Sequence, residues 1–491
     1  MLSLLALDCG ASNGRAVVGD YDGKTLKLDC FYRFPNEPVT VTGRMYWDIL
    51  RLYLEMKKGI SKCVKVGKTI ASIGVDTWGT GFGLIGKSGE LLGNPYHYRD
   101  NQTDGIFDKI CSVVSQREIY EQTGALFSMH TTLFQLYSMK IDPSSLLDKA
   151  SVLLPTPDLF NYFLTGEKLT EHTIASATQM YNIKSRKWSS DLIERLGIPD
   201  RLLTDIVNPG TFIGKIKSDV RDALGVGSIP VVAVAEHDTA SAIASIPTGG
   251  KECAFISSGT WSIMGIESKE PLINDQTFRL NYGNEGVFGD TTALVKNINA
   301  LWVLQQCKRE WDTPEKTFGY DELEQYATEA RPFLSIIDLY DNIFGTQGNM
   351  TGKIAEACRK TGQRIPESKG EIVRCILESI ALKYRMVLDE LEQIVGYSIP
   401  ILAIVGGGAR SALLCQFTAN ATGRSVVSWL SEATAAGNIL CQLYAKGEIA
   451  SLSEARLLIE RSFPKTEYTP FNHQFWNEPY AKYLELAGKS I

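Results

Sequence analysis

Apolar residues in the first part of the chain fall into short runs separated by small polar turns. LSLLALD is followed by Gly-Ala-Ser-Asn-Gly, then RAVVGDY, an Asp22-Gly23 turn and TLKLDCFYRF, a pattern that predicts a three-stranded meander. Between residues 47 and 66 the apolar spacing becomes helical, with Asp48 at the first turn, and TIASIGVD then reads as a short buried strand. GFGLIGKSGELLG predicts a further hairpin about Ser88-Gly89. Near residue 253 the pattern restarts: CAFISSGTWSIMGIES repeats the order of strand, small-residue turn and strand, and predicts an internal duplication. Beyond it come a long amphipathic helix from about Glu371 to Ile394, a strand IPILAIVGGG, a helix from about Arg410 to Thr422, a strand RSVVSWL and a helix beginning near Glu432. A boundary near residue 245 gives two α/β domains, 1–245 and 246–491, with ligands expected in a cleft between their turns.

The length fits this division, since 491 residues exceed what one compact core holds. Hydrophobic residues at 44% and charged residues at 22% are those of an ordinary globular chain, which excludes disordered, collagenous and disulfide-scaffold classes. The net charge of -6 is spread without a basic run, so neither nucleic acid nor an anionic membrane is expected as partner. The opening MLSLLALDCG has an aspartate at position 8 and no basic leader, so it reads as a first strand, and a cytoplasmic enzyme is expected, as monomer or small homo-oligomer. The ten cysteines lack ligand spacing and the five histidines are not paired at helical spacing, so reduced core thiols are expected and a zinc site is not.

Five segments carry candidate chemistry. Asp8-Cys9-Gly10-Ala11-Ser12-Asn13-Gly14-Arg15 places a carboxylate at a strand end and then small residues whose amides suit phosphate oxygens. An ordinary hairpin loop has the same composition. Ser257-Ser258-Gly259-Thr260-Trp261-Ser262 is the matching turn of the second half, with Thr260 able to reach a phosphoryl oxygen, and two such turns at equivalent points of a repeat are less expected from hairpin statistics than one. IPVVAVAEHDTASAIAS puts Asp238 at a strand-to-helix switch, either as a catalytic base or as a helix cap; a helix N-terminus there predicts an ionised carboxylate of depressed pKa. Gly406-Gly407-Gly408 after a buried strand offers bare backbone to a flat ring or phosphate. Ser72 to Gly81 ends a buried strand with Asp76 and Trp78, a carboxylate and an aromatic face suited to a sugar, or else a turn former and a core residue.

Together the paired turns, the Glu-His-Asp-Thr segment and the late triple glycine make the chain resemble the FGGY carbohydrate kinases of the actin and hexokinase superfamily. The resemblance extends over nearly the whole chain through IGVDTWG at 73–79, NPYHYRD at 94–100, PDLFNYFLTGE at 157–167, AEHDTASA at 235–242, SSGTWS at 257–262, NEG at 284–286 and KNINALWVLQ at 296–305. It implies two actin-like, ribonuclease H-like ATPase domains and transfer of the γ-phosphoryl group of ATP to a ketose, L-rhamnulose first and L-fuculose as the alternative. By residue matching it implies Asp238 as base, with His237, Thr239, Gly79 and Asn297 on the sugar. Ala11, Ser12, Asn13, Gly14, Arg15 and Thr260 are matched to the ATP phosphates, Gln305 and Gly407 to the nucleotide, and Asp8 to a hydrated Mg²⁺. A catalytically silent actin-like sugar sensor is the alternative of another class, and retention of both Asp8 and Asp238 separates the two.

Three departures stand out. The family pattern would continue Val-Asp-Phe after DTWG, whereas this chain has Thr80-Gly81-Phe82, so a carboxylate near the sugar pocket is missing. The segment Phe127 to Thr132 brings in His130. Ser411 stands where the family often has Asn after the glycines, which is expected to weaken adenine contacts.

Overall fold

The computed structural model describes residues 1–142, 146–247, 253–346 and 348–488. By contact the chain divides into two compact units, one of residues 1–249, 267–295 and 433–462, the other of 250–266, 296–432 and 463–491. A single domain boundary near residue 245 stands beside this division as a proposal.

The meander forms as its pattern predicts. Strands β1 (Leu2–Cys9), β2 (Asn13–Tyr21) and β3 (Leu26–Pro35) pair antiparallel in sequence. Leu4 to Cys9 are all buried, as a central strand covered on both faces requires. Helix α1 (Ile49–Lys65) starts where Asp48 accepts a hydrogen bond from the Arg51 N–H at 3.2 Å and ends with Lys62 and Lys65 in its last turn, where they favour the helix dipole. Its buried face, Ile49, Leu52, Met56 and Ile60, recurs at helical spacing. Each such side chain contributes roughly 1.5–3 kcal/mol by leaving water.

Strand β4 (Ile70–Thr77) joins β1 in parallel, followed by β5 (Thr211–Lys215) and β6 (Pro230–Ala233), and the sheet order is β5-β6-β4-β1-β2-β3. The expected hairpin about Ser88-Gly89 is a tight turn with Gly89 at φ +87°, returning only to a bridge between Ile85 and Leu91. The strand Phe82–Gly86 finds its longer partner in Ala150–Pro155.

The second unit repeats the scheme. Strand β7 (Cys253–Ser258) pairs antiparallel with β8 (Trp261–Ser268) and parallel with β9 (Ile401–Val405), which pairs parallel with β10 (Ser425–Ser428), and β10 carries the antiparallel β11 (Thr466–Tyr468). An antiparallel hairpin, two parallel strands and an antiparallel edge follow in the same order in both units, as the expected duplication requires. The long helix runs from Lys369 to Val395, opened by a capping box of Ser368 and Glu371.

Candidate active site

In the first unit the candidate residues gather at one end of the sheet. Asp8 and Asp76 stand side by side in the parallel register of β1 and β4, and Cys9 stands beside Thr77. The Thr77 N–H donates to the Glu236 carbonyl at 2.9 Å, so the chain leaving β6 continues along β4 and delivers His237 and Asp238 to the same edge. Asp8, near the end of β1, and Asp238, just beyond β6, therefore lie at the same end of one sheet.

Asp238 is the first residue of a helix, Asp238–Ala244, whose N-cap position is His237, and the His237 side chain makes no cap bond. The helix is seated by a second one, Ala433–Ala445, where a Cβ on Gly437 would fall 1.7 Å from the Ser241 carbonyl oxygen. Only glycine permits that approach. The Asp238 carboxylate is contacted by the Thr239 hydroxyl at 3.3 Å and by His237 Nε2 at 3.6 Å, and its side chain keeps 28% of its surface open. Burial pushes its pKa up, His237 pulls it back and Asp8 pushes it up again, with a net upward shift. This corrects the expectation of a depressed pKa: removal from water and a neighbouring carboxylate outweigh the helix end.

His237 is buried, with Nδ1 3.2 Å from Glu285 Oε2. Burial works against its charge, yet Glu285 first and then Asp238 push its pKa to about 9, so it is an imidazolium at neutral pH. Gly79 lies against this ring, since a Cβ there would stand 2.9 Å from Nε2. Asp76 is fully buried, and its Oδ2 accepts from Asn438 Nδ2 at 2.6 Å. Burial, then Asp8 and Asp238, raise Asp76 well above the usual carboxylate range. Gln442 extends the chain, donating to Asn438 Oδ1 at 2.7 Å and to the Leu5 carbonyl at 3.0 Å, while Ser72 donates to Gln442 at 2.7 Å.

Trp78 is buried, its ring 4.0 Å from that of Trp47. The two indole N–H groups and the Thr156 hydroxyl have no hydrogen-bond partner among the described residues. A Cβ on Gly81 would come within 2.7 Å of the Thr156 oxygen and 3.2 Å of Trp78 Nε1, so these donors surround the position where the expected carboxylate is missing. His130 is exposed, 6.2 Å from the ring of Tyr98.

The turn Gly10-Ala11-Ser12 is tied down by Asn36, whose N–H meets the Ser12 carbonyl at 3.1 Å and whose Nδ2 meets the Gly10 carbonyl at 2.9 Å. Asn13 beyond it is exposed. Gly14 owes its lack of a side chain to Phe34, whose ring would lie 2.2 Å from a Cβ. Arg15 Nε donates to Asp8 Oδ2 at 2.8 Å.

In the second unit Thr260, Gln305 and Gly407 lie around the equivalent turn. Thr260 Oγ1 donates to Gln305 Oε1 at 3.3 Å, and its carbonyl accepts from the Trp302 N–H at 3.0 Å at the start of the helix Leu301–Trp311. The glycine run packs on Ser258: a Cβ on Gly408 would meet its Oγ at 2.1 Å, and Gly406 holds φ +82°. Ser262 and Ser258 both reach the Tyr384 hydroxyl, at 2.6 and 3.3 Å. Asn297 lies on the strand Thr292–Asn299, its Oδ1 buried without a hydrogen-bond partner among the described residues. Ser411 spends its hydroxyl on the Leu414 N–H at 3.1 Å, capping the helix Ala412–Thr422.

Glu285, Asn438 and the carboxylates behind His237 were not singled out from sequence. Glu285 lay within the NEG string, and its pairing with His237 is invisible without the fold.

The sequence model for the N-terminal domain of the FGGY family of carbohydrate kinases matches residues 3–244, and that for the C-terminal domain matches 254–446. A rhamnulokinase of Bacteroides thetaiotaomicron is 41% identical over 97% of this chain and 98% of its own length. That of Lactiplantibacillus plantarum is 36% identical over 100% of both chains, and that of Bacillus subtilis 34% identical over 95% of both. Among solved structures, a ligand-bound xylulose kinase from Lactobacillus acidophilus superposes with TM-score 0.81 at 18% identity, covering 99% of this chain and 98% of that one. Plasmodium falciparum glycerol kinase with ADP does so with TM-score 0.79 at 16% identity, covering 100% and 99%. With both domain profiles matched along the chain and relatives this similar over nearly full length, the chain belongs to the FGGY family of carbohydrate kinases.

Proposed function

We propose that this sugar kinase transfers the γ-phosphoryl group of ATP to the C1 hydroxyl of L-rhamnulose, with Asp238 as the base. The observation that carries the reading is the Asp238 carboxylate itself: partly open, one position inside the helix rather than at its N-cap, and raised in pKa, hence a better proton acceptor than an ordinary aspartate. As the C1 oxygen bonds to the γ-phosphorus, Asp238 takes its proton and ADP leaves with the electron pair of the broken bond. The His237 imidazolium, fixed by Glu285, holds Asp238 ionised and in place until that step. The Gly79 backbone, bare of a side chain, lets the imidazole stand beside it. Thr260, Gln305 and Gly407 are assigned to the nucleotide, Asn297 to the sugar, and Ala11 to Arg15 to the phosphates.

Asp8 is assigned to a hydrated Mg²⁺. One carboxylate fits this ion, which is usually held by one or two carboxylates, water and the nucleotide's own phosphates. When bound it would neutralise charge on those phosphates. The names of the relatives support L-rhamnulose as acceptor. The test is ADP release measured in parallel on L-rhamnulose, L-fuculose, D-xylulose and glycerol. L-rhamnulose should give the highest kcat/KM; a higher value for another acceptor would reject the sugar assignment, and no ADP release with any of them would favour a silent sensor.

A further inference from the structure

Behind His237 and Asp238 the first unit buries three carboxyl groups that the reaction does not use. Glu171 is fully buried and accepts four hydrogen bonds: from the N–H of Thr173 at 2.8 Å, of Ile174 at 3.2 Å and of Glu236 at 3.1 Å, and from the Thr173 hydroxyl at 2.6 Å. That hydroxyl in turn accepts from the His237 N–H at 3.1 Å. Two consecutive peptide N–H groups, those of Glu236 and His237, are thus gripped by Glu171 and Thr173 immediately before Asp238. Both grips come from the helix His172–Ser176 and its cap, Glu171, far from Asp238 in sequence.

Glu171 is itself held, since its N–H donates to Asp158 Oδ1 at 3.1 Å, and Asn161 Nδ2 donates to Glu236 Oε1 at 2.7 Å. Asp158 and Glu236 are pushed well above the usual carboxylate range, by burial first and then by the neighbouring acids. A buried network with this many donors on one carboxylate has few alternative arrangements, because each bond lost leaves a buried group unpaired.

We propose that Glu171, with Thr173, is a positioning residue for phosphoryl transfer: it fixes the backbone of Glu236 and His237 and so aims the Asp238 carboxylate. The proposal rests on Asp238 being the base. An error in aim of even about 1 Å can cost roughly a hundredfold in rate without a matching loss of binding.

The test is a double-mutant cycle. Glu171→Gln, which replaces an acceptor oxygen by an NH₂ group facing the backbone donors, should lower kcat about tenfold to a hundredfold with KM for the sugar nearly unchanged. Added to Asp238→Asn it should change the residual turnover by less than about twofold, because a missing base cannot be misaimed. An equal fold-loss in both backgrounds, or a loss confined to KM, overturns the positioning role. Should Glu171→Gln fail to fold, Thr173→Val removes the second grip and enters the same cycle, with Thr173→Ser expected to recover most of the lost turnover. Wild-type turnover in Asp238→Asn alone would reject the base instead, which separates that failure from this one.

Discussion

The backbone at Gly79 faces the imidazole of His237 so closely that a Cβ on Gly79 would stand 2.9 Å from Nε2. A methyl group there must displace the ring or the strand end. His237 is clamped by Glu285 on its other side, so the ring has little freedom to yield. Gly79→Ala is therefore expected to lower kcat/KM for the sugar by about tenfold or more, while leaving ADP affinity and the melting transition close to wild type. Steady-state kinetics with ADP calorimetry checks this.

The charge on His237 gives activity an alkaline edge. With its pKa at about 9, raised from 6.5, the imidazolium is lost as pH climbs through about 9, and Asp238 then loses its charged neighbour. The kcat/KM profile should fall above that pH, and His237→Asn should remove this limb. The same shift has a stability counterpart: a raised imidazole pKa contributes stability that is fully present below 6.5 and lost as pH rises through about 9. Denaturant unfolding at pH 7 and pH 10 should show a smaller decrease in Glu285→Gln than in the wild type.

On the acid side Asp238 sets the limit. Its raised pKa means that turnover falls as pH drops through a value above that of an ordinary aspartate. Asp238→Asn should cost roughly 10²–10⁴ in kcat with ADP binding retained, measured by coupled ADP release and by calorimetry. Wild-type turnover in this variant would remove Asp238 from the role of base.

Asn438 supplies the side-chain hydrogen bond to the buried Asp76, at 2.6 Å. Asn438→Ala leaves a buried carboxyl group without that donor, at an expected cost of about 1–3 kcal/mol, read from the midpoint of urea unfolding. The effect should exceed that of removing an exposed polar side chain such as Asn13.

In the second unit, Gly408→Ala would bring a Cβ to 2.1 Å from Ser258 Oγ and disturb the Ser258, Ser262 and Tyr384 hydroxyl group. Because Thr260 sits on the same turn as Ser258 and bonds Gln305 of the helix Leu301–Trp311, ADP affinity is expected to fall about tenfold, roughly 1.4 kcal/mol. Unchanged ADP affinity, measured by calorimetry, would detach the glycine run from the nucleotide.

Local pattern carried a large part of this molecule. The two strand-turn-strand repeats, the helices at 49–65 and 369–395 and the candidate turn at Asp8 to Arg15 were all legible, because alternation, helical periodicity and capping act between residues close in sequence. Family strings brought in His237, Gly79, Gln305 and Asn297. The tertiary structure alone decided the electrical state of the site. Asp238 looked like a helix-stabilised carboxylate of low pKa, and burial beside Asp8 raises it; His237 was placed beside the sugar with no charge assigned, and Glu285 pushes its pKa to about 9. Both outcomes depend on groups tens to hundreds of residues away, brought into electrostatic reach by the fold. The helix Ala433–Ala445 makes the same point, for its Asn438 holds Asp76 across more than three hundred residues of chain. Spacing along the sequence determined which elements form, whereas charge and burial are summed over space, so only the fold could set the chemistry of the residues it gathers.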